Sequence, residues 1–215
     1  MPFALATGAE ARWTGRLGSG AVVCVNGGTA AEVPGTWSAS IEWLVRGLAD
    51  RFPQVGFLEV RYRIKSWQRL ELCVEDCRAA LDAAREAGAE RLALLAFSMG
   101  GAVAVQNAAT PDIEALVGVN PWLPPQLDFS PLAHKRLAIV HGALDAPLPG
   151  IPGVKPSMSA AAAARASALG ADVTREVVAG FHAVAFRRRD GGLLPVPGAR
   201  RFDAFVQREL QGFCA

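Results

Sequence analysis

The chain has 215 residues, of which 51% are hydrophobic and 20% charged, and its formal net charge at pH 7 is +2. This length and composition predict a globular protein with a sizeable core and exclude a disordered chain. The small net charge argues against a nucleic-acid partner, and no apolar run is long enough to span a bilayer. We therefore expect a single domain over residues 1–215, with neither a nucleic-acid nor a membrane partner.

Apolar segments with strand character alternate with helical segments along most of the chain. Strands are predicted over 11–17, 21–25, 55–62, 91–97, 113–119, 136–140 and 172–178, the last being the final strand. Helices are predicted over 37–52, 68–87, 100–109, 159–169 and 201–210. This alternation predicts an α/β fold with a mostly parallel, doubly wound sheet and helices on both faces. The segment between the strands at 113–119 and 136–140 is too short for a large cap domain.

One serine, Ser98, stands between a predicted strand and the helix that follows it. Ala96 and Gly100 flank it at two residues' distance, and small side chains there allow a sharp turn that exposes the serine hydroxyl. The Met99 N–H lies at the start of the helix, where free donors favour a developing negative charge. A serine at the start of a helix can instead serve merely as a helix cap, so this pattern needs support from the rest of the chain.

Further polar residues follow other predicted strands. Asn26-Gly27-Gly28 follows the strand over 21–25, Asp145 follows the sixth strand and His182 the seventh. Ligands bind beyond the carboxyl ends of the strands in an open parallel sheet, so these groups are expected to meet there. A serine needs a base to become a nucleophile, a histidine can supply it, and a carboxylate can orient the histidine.

The small-x-Ser-x-Gly turn and the chain order Ser98, Asp145, His182 resemble the α/β-hydrolase family. The resemblance extends from about Ala21 to Leu210, and is greatest to small, capless members of the dienelactone-hydrolase-like and carboxylesterase-like type. It implies a catalytic triad in which Ser98 is the nucleophile, His182 the base and Asp145 the acid that holds the base.

The resemblance also implies an oxyanion hole built from the backbone N–H groups of Met99 and Gly28, with Thr29 as the alternative to Gly28. Asn26 stands where many members of the family carry a histidine that supports this loop, so the support of the loop must differ here. Asp128 is the rival acid, because some members carry the carboxylate after the preceding strand. His141 is a rival base in a position that varies in the family, and His134 is expected to be exposed.

Aromatic residues close to these positions suggest an apolar substrate pocket. The candidates are Trp37, Phe97, Trp122 and Phe181, with Leu148 beside them, and the alternative is that they only pack loops onto helices. Such a pocket would take an acyl chain or an aromatic ester. No cofactor and no metal are expected, because no ligand set with metal-binding spacing is present.

The four cysteines, Cys24, Cys73, Cys77 and Cys214, fit neither a zinc ribbon nor a redox pair. Cys24 is expected to be a small core residue. The first residues lack the basic segment of a signal peptide, and free thiols favour a reducing compartment, so a cytoplasmic location is expected. Nothing in the sequence indicates the oligomeric state.

These observations favour a serine hydrolase that cleaves a small-molecule carboxylic ester or thioester. The same triad could instead carry out acyl transfer or a perhydrolase reaction. A third possibility is a protein that binds a ligand on this fold without turnover, because a fold alone does not separate these functions.

Overall fold

The computed structural model describes residues 1–146 and 153–214 and is organised around an eight-stranded sheet. In chain order the strands are β1 (Phe3–Ala4), β2 (Glu10–Thr14), β3 (Gly20–Val25), β4 (Val33–Pro34), β5 (Gly56–Arg61), β6 (Ile64–Lys65), β7 (Arg91–Phe97), β8 (Ile113–Val119), β9 (Arg136–Gly142), β10 (Asp172–Val178), β11 (Ala185–Arg187) and β12 (Leu193–Pro195). The main sheet has the order β1-β2-β5-β3-β7-β8-β9-β10. In this sheet, the six neighbouring strands β5, β3, β7, β8, β9 and β10 are parallel to one another. At the other edge, β2 is antiparallel to β5, and β1 is antiparallel to β2.

The order of the strands reverses next to β3. The chain passes from β3 to β5 on one side and then returns to β7 on the other side. A reversal of this kind leaves a crevice beyond the carboxyl ends of the two central strands, and this is the usual ligand site in such sheets. The loops that follow β3 and β7 therefore meet at the place where the sequence predicts the site.

Five helices cover the two faces of the sheet: α1 (Ala39–Arg51), α2 (Leu70–Glu86), α3 (Gly100–Asn107), α4 (Pro156–Ala168) and α5 (Ala199–Cys214). The apolar sides of α1 and α5 pack in one core, while α2, α3 and α4 pack in the other. The side chain of Ser38 caps α1 by accepting a hydrogen bond from the Ile41 N–H at 3.3 Å. The predicted fold class is confirmed, because the sheet is mostly parallel and helices lie on both of its faces.

The predicted strands over 91–97, 113–119 and 172–178 agree with the structure, but the strand over 172–178 is not the final one. The hairpin of β11 and β12 follows it and was missed because each of its strands has only three residues. The edge strand predicted over 11–17 is shifted to Glu10–Thr14.

The four cysteines are buried and free. Burial raises the pKa of the Cys73 thiol to about 11 and that of Cys214 to about 12, so both stay protonated at neutral pH. Burial likewise raises the pKa values of Cys24 and Cys77. Of the helices in the described ranges, none combines the length and the apolar character that a membrane crossing requires.

Candidate active site

Ser98 occupies a strained turn between β7 and α3. Its φ is +54°, in the left-handed region that residues other than glycine seldom adopt. Three backbone hydrogen bonds hold the turn: the Ser98 N–H donates to the Val119 carbonyl at 3.2 Å, and the Ser98 carbonyl accepts from the N–H groups of Gly101 at 2.9 Å and Trp122 at 2.7 Å. The surrounding backbone thus over-determines a conformation that would be unfavourable in isolation.

The turn brings α3 against the end of β3, and this is why Gly100 has no side chain. A Cβ atom on Gly100 would lie 2.8 Å from the Val25 carbonyl oxygen and 2.9 Å from that of Asn26. Both are backbone atoms that cannot move aside. The expectation of small residues around the serine is met at Ala96 as well, which is fully buried in β7.

Three side chains from three different loops form a continuous hydrogen-bonded chain. The Ser98 Oγ lies 3.0 Å from the Nε2 of His182, and the Nδ1 of His182 lies 2.8 Å from the Oδ2 of Asp145. The His182 side chain is 12% exposed and that of Asp145 is fully buried. The Phe97 ring packs against the His182 ring with centroids 5.2 Å apart. The structure therefore brings together the three residues that the sequence singled out.

Asp145 is surrounded by hydrogen-bond donors. Its Oδ1 accepts from the Val154 N–H at 2.9 Å, and its Oδ2 lies 3.2 Å from the Nε2 of His141, which also lies 2.7 Å from the Val154 carbonyl oxygen. Burial pushes the pKa of Asp145 upward, but the hydrogen bonds from His141 and His182 outweigh it, and the pKa is lowered from its usual value. Asp145 is therefore ionised at neutral pH.

The loop that carries His182 is held from behind by a buried asparagine that was not identified from the sequence. Asn120 follows β8, has a φ of +46° and is fully buried. Its Nδ2 donates to the carbonyl oxygens of Phe181 at 3.0 Å and His182 at 2.7 Å, and its Oδ1 accepts from the Gly142 N–H at 2.7 Å. One amide thus joins the end of β9 to the segment that carries the histidine.

The loop after β3 has a support of its own. Asn26 Nδ2 donates to the Thr36 carbonyl at 2.8 Å, and Asn26 Oδ1 accepts from the Gly27 N–H at 2.6 Å. The Tyr62 hydroxyl donates to the Asn26 carbonyl at 3.2 Å. The asparagine that stands in place of the expected histidine therefore ties the loop to residue 36 through its side chain.

Two backbone N–H groups beside Ser98, those of Met99 and Gly28, have no acceptor within the described part of the chain. Gly28 packs directly on the Met99 side chain, and a Cβ atom there would overlap the Met99 sulfur. The Thr29 hydroxyl, in contrast, donates to the Ala31 carbonyl at 2.7 Å, and the Thr29 carbonyl accepts from the Trp67 N–H at 3.1 Å.

The rival residues lie in other environments. Asp128 is exposed, and its carboxylate accepts from the Ser130 N–H at 2.9 Å and the Ser130 hydroxyl at 2.6 Å. His141 is fully buried and contacts Asp145 rather than Ser98. His134 is exposed, as expected. Asp145 is thus the carboxylate that contacts His182.

Ser98 lines two neighbouring cavities. An open cleft of about 280 Å³ includes Trp37 and Phe97 among its lining residues, and an apolar cavity of about 190 Å³ is formed by Trp67, Met99, Trp122, Gly153 and Val154 together with Ser98. Trp37, Phe97 and Trp122 therefore lie where the sequence analysis expected substrate contacts. Leu148 lies outside the described residues.

Phe181, suggested by the sequence as a substrate contact, is not among the described residues that line either cavity. Its side chain is exposed, and its carbonyl oxygen accepts from Asn120. The backbone of Gly180 and Phe181 packs so closely on Gly142 that a Cβ atom there would lie 2.7 Å from the Phe181 carbonyl oxygen. Phe181 thus serves the site through its backbone, while its ring faces solvent.

Lys65 and Trp67, which line the two cavities, were not identified from the sequence. Both follow β5 in the chain, so they obey the same rule about the carboxyl ends of parallel strands. Neither residue is a serine, a carboxylate or a histidine, so neither carries the signal by which the other site residues are recognised in the sequence. In residues 1–146 and 153–214, no group of three or more His, Cys, Asp or Glu side chains is arranged to hold a metal ion.

Comparisons with known proteins agree with this architecture. No family model matches the chain, and no curated protein matches it in sequence. Among solved structures, an esterase from Pyrococcus furiosus is 14% identical, with a TM-score of 0.68, covering 99% of this chain and 91% of that chain. An α/β serine hydrolase homologue from Coxiella burnetii is 15% identical, with a TM-score of 0.66 and coverages of 98% and 96%.

A further similar structure is a member of the α/β serine hydrolases without a lid, from Xanthomonas campestris. It is 14% identical, with a TM-score of 0.67, covering 99% of this chain and 94% of that chain. Because nearly the whole length of each chain is superimposed, the likeness includes the full sheet and its helices. The chain therefore has the α/β-hydrolase fold, in a form without a large cap domain.

Proposed function

We propose that the protein is a serine hydrolase that cleaves a carboxylic ester or thioester of a small molecule through an acyl-enzyme. The observation that carries the proposal is the continuous chain from the Ser98 Oγ through the His182 ring to the Asp145 carboxylate, at 3.0 Å and 2.8 Å. Both distances are those of ordinary hydrogen bonds, so no rearrangement is needed before proton transfer.

In the first half of the reaction, the Ser98 Oγ forms a bond to the carbonyl carbon of the substrate while its proton passes to the Nε2 of His182. The tetrahedral intermediate then collapses, the bond to the leaving group breaks, and His182 returns the proton to the departing alkoxide or thiolate. In the second half, water attacks the acyl-enzyme by the same route. The products are the free acid and the regenerated serine.

Asp145 determines which nitrogen of His182 acts as the base. Its buried carboxylate accepts from Nδ1, so the proton of the neutral imidazole stays there and Nε2 is free to take the proton of Ser98. The same carboxylate stabilises the imidazolium once it forms. The lowered pKa of Asp145 keeps it charged for this purpose at neutral pH.

The N–H groups of Met99 and Gly28 are proposed as the oxyanion hole. Both are backbone donors next to Ser98. The N–H of Gly27, in the same loop after β3, already donates to the Asn26 Oδ1 at 2.6 Å. Two donors held in place before the reaction stabilise the negative charge that develops on the carbonyl oxygen. Gly28 is preferred to Thr29 because Thr29 pairs with Ser66 in a parallel bridge, which engages the Thr29 backbone with that segment.

The proposal is tested by labelling the folded protein with a fluorophosphonate probe and locating the adduct by mass spectrometry. We expect one adduct on Ser98, because only an activated serine reacts rapidly with such a probe. Labelling should disappear in His182→Asn and persist in the matched variant His134→Asn, whose exposed histidine has a left-handed backbone that asparagine tolerates. A folded protein that takes up no label would contradict the proposal.

The bond that is cleaved can then be identified with a series of 4-nitrophenyl esters and thioesters of increasing acyl length. The apolar cavity of about 190 Å³ favours short or medium acyl groups over long ones. Analysis of the products separates hydrolysis, which releases the acid alone, from transfer of the acyl group to an added alcohol or to peroxide.

A cytoplasmic setting is proposed together with this activity. It is supported by the four free thiols, all of them buried. Cysteines in oxidising compartments are more often found as disulfides.

A further inference from the structure

The open cleft beside Ser98 has an uneven charge. Among the described residues that form the cleft, Lys65 is the only Lys or Arg, and no Asp or Glu is present. The other titratable group that faces the cleft is His182. A ligand in this cleft therefore meets a positive field next to the nucleophile, with no carboxylate of the protein to neutralise it.

Among the residues that the structure describes, no carboxylate forms an ion pair with the Lys65 ammonium. Its side chain makes one hydrogen bond, from Nζ to the Thr36 hydroxyl at 2.8 Å, although an ammonium carries three donors. Residues 147–152, outside the described part of the chain, contain no Asp or Glu that could reach it. Many arginines of this protein are paired with carboxylates, for example Arg12 with Glu42 and Glu59. Lys65 thus keeps two donors available on the wall of the cleft.

The Lys65 ammonium is linked by a hydrogen bond to the segment that supports the proposed oxyanion loop. Lys65 lies on β6, which pairs with β4 so that Lys65 is opposite Val33. Its acceptor Thr36 is in turn bound through its carbonyl to the Asn26 side chain, at the base of the loop that carries Gly28. The cation is therefore connected to the proposed oxyanion loop by two consecutive contacts, rather than being carried by a free surface side chain.

The second cavity next to Ser98 differs in character. In the described part of the chain it is lined by uncharged residues only: Trp67, Ser98, Met99, Trp122, Gly153 and Val154. An apolar group gains free energy by entering such a space, whereas a charged group would lose its hydration there without a partner. The two cavities that meet at Ser98 therefore favour chemically different parts of one substrate.

We propose that the substrate is an asymmetric ester or thioester, with an anionic oxygen group bound by Lys65 and an uncharged apolar group in the cavity of Trp67 and Trp122. This inference rests on the proposed function, since it names the substrate class of the same site. The anionic group is a carboxylate or a phosphate, because both are oxygen acceptors that an ammonium binds as a point charge. The oxygen atoms of the bound anion take the place of water molecules as hydrogen-bond acceptors for the Lys65 ammonium.

The test compares matched esters that differ in one charge. One pair places the charge on the acyl side: the 4-nitrophenyl half ester of glutaric acid and its neutral methyl ester. The other pair places it on the leaving group: 3-carboxyphenyl butyrate and its neutral methyl ester. A 4-nitrophenyl ester with a terminal phosphonate separates phosphate from carboxylate recognition.

We expect kcat/KM for the charged member of one pair to exceed that of its neutral partner by on the order of tenfold, mostly through KM. In Lys65→Met the ratio should fall to about one, and in Lys65→Arg it should be largely kept. The control is Lys155→Met, which removes an exposed lysine that lines neither cavity and should leave the ratio unchanged. Equal ratios in the wild type and in Lys65→Met for both pairs would overturn the proposal.

A binding experiment separates this inference from the proposed function. Ser98→Ala cannot form an acyl-enzyme, so the affinity of intact charged and neutral esters can be measured by calorimetry. Tighter binding of a charged ester that is lost in Ser98→Ala/Lys65→Met supports the anion site even if no ester is turned over by the wild type. Turnover of neutral and charged esters at equal rates, with equal affinities, leaves the hydrolase proposal intact and overturns the anion site.

Discussion

Two buried carboxylates of this protein, Asp145 and Glu42, look alike until their partners are compared. Both side chains are nearly inaccessible, and both pKa values are lowered by hydrogen bonds that outweigh the effect of burial. Asp145 is bonded to imidazoles, those of His182 and His141. Glu42 is bonded to guanidinium groups, those of three arginines: Arg12 at 2.7 Å, Arg46 at 2.7 Å and Arg187 at 2.5 Å.

A lowered pKa therefore does not by itself distinguish the proposed active site, because Asp145 and Glu42 share it and differ in whether their partners can change charge. An arginine stays protonated at any pH the protein meets, so the Glu42 cluster can only hold α1 to β2 and β11. An imidazole can take up and release a proton, and the His182 Nε2 lies 3.0 Å from the Ser98 hydroxyl with which we propose it exchanges one. The following experiments test whether this distinction holds.

The largest effect is expected for Asp145→Asn. The substitution keeps the shape of the side chain but places an amide N–H donor, instead of a carboxylate acceptor, against the Nδ1 of His182. The proton of the imidazole then moves to Nε2, and His182 can no longer take a proton from Ser98. Turnover of a 4-nitrophenyl ester, and the rate of fluorophosphonate labelling, should fall about 10⁴-fold with the near-UV circular dichroism unchanged. Asp128→Asn is the control. A harmless Asp145→Asn together with a crippling Asp128→Asn would reverse the assignment of the acid.

A smaller effect is expected for Asn120→Ala, which extends the comparison to buried amides. It leaves the carbonyl groups of Phe181 and His182 and the Gly142 N–H without their partner, so His182 is no longer held in place. We expect kcat to fall about a hundredfold, as a displacement of about 1 Å commonly causes, together with a loss of about 2 kcal/mol in the free energy of unfolding.

The matched control for Asn120 is Asn107→Ala. Asn107 is also buried, and its Nδ2 donates to the carbonyls of Val103 at 3.0 Å and Val74 at 3.2 Å, at the end of α3 away from Ser98. It should lose about 1 kcal/mol less in the free energy of unfolding in urea, because alanine at position 120 also occupies a left-handed backbone, and it should keep its kcat within about twofold. If both variants lose activity equally, then Asn120 acts on stability alone and does not position the histidine.

The smallest effect on activity is expected for Glu42→Gln. The variant removes the charge that three arginines share, and the free energy of unfolding should fall by about 2 kcal/mol, while kcat/KM for a neutral ester stays unchanged. Glu75→Gln, which removes an exposed carboxylate paired with Arg63, should change stability by less than about 0.5 kcal/mol. A loss of activity in folded Glu42→Gln would contradict the separation of the two carboxylates.

The pH dependence of stability tests whether the arginines stabilise the charged form of Glu42. The pKa of Glu42 is lowered in the folded protein from 4.5 to about 2, so its contribution is complete above the unfolded value and is lost as the pH falls towards 2. The melting temperature of the wild type should therefore fall more steeply over that interval than that of Glu42→Gln. Parallel curves for the two proteins would show that the arginines do not stabilise the charged form.

Much of this site follows from order along the chain. Ser98, Asp145 and His182 each come directly after a parallel strand, and the ends of parallel strands share one edge of the sheet, so their meeting was predictable. The fold was predictable for the same reason, because buried parallel strands appear as short continuous apolar runs. The short hairpin of β11 and β12 carries too few residues to leave such a pattern.

Side-chain direction was not predictable. Phe181 precedes His182 in the chain, yet its ring is exposed because its backbone is clamped to Asn120 and packed on Gly142. Lys65 lies in a two-residue strand whose pairing depends on a contact with residue 33. Such tertiary contacts decide whether the side chain of a loop residue faces the cleft. They produce no periodic pattern in the sequence, unlike the faces of helices and strands, so they could not be predicted from it.

The left-handed backbone of Ser98 also has an evolutionary consequence. An L-residue in that conformation costs roughly 1–2 kcal/mol, and glycine would occupy the same turn without the steric part of that cost. Selection for a stable scaffold alone would therefore drive position 98 towards glycine. A descendant of this chain that retains the fold but abandons the chemistry is expected to lose its serine early, and to become more robust by doing so.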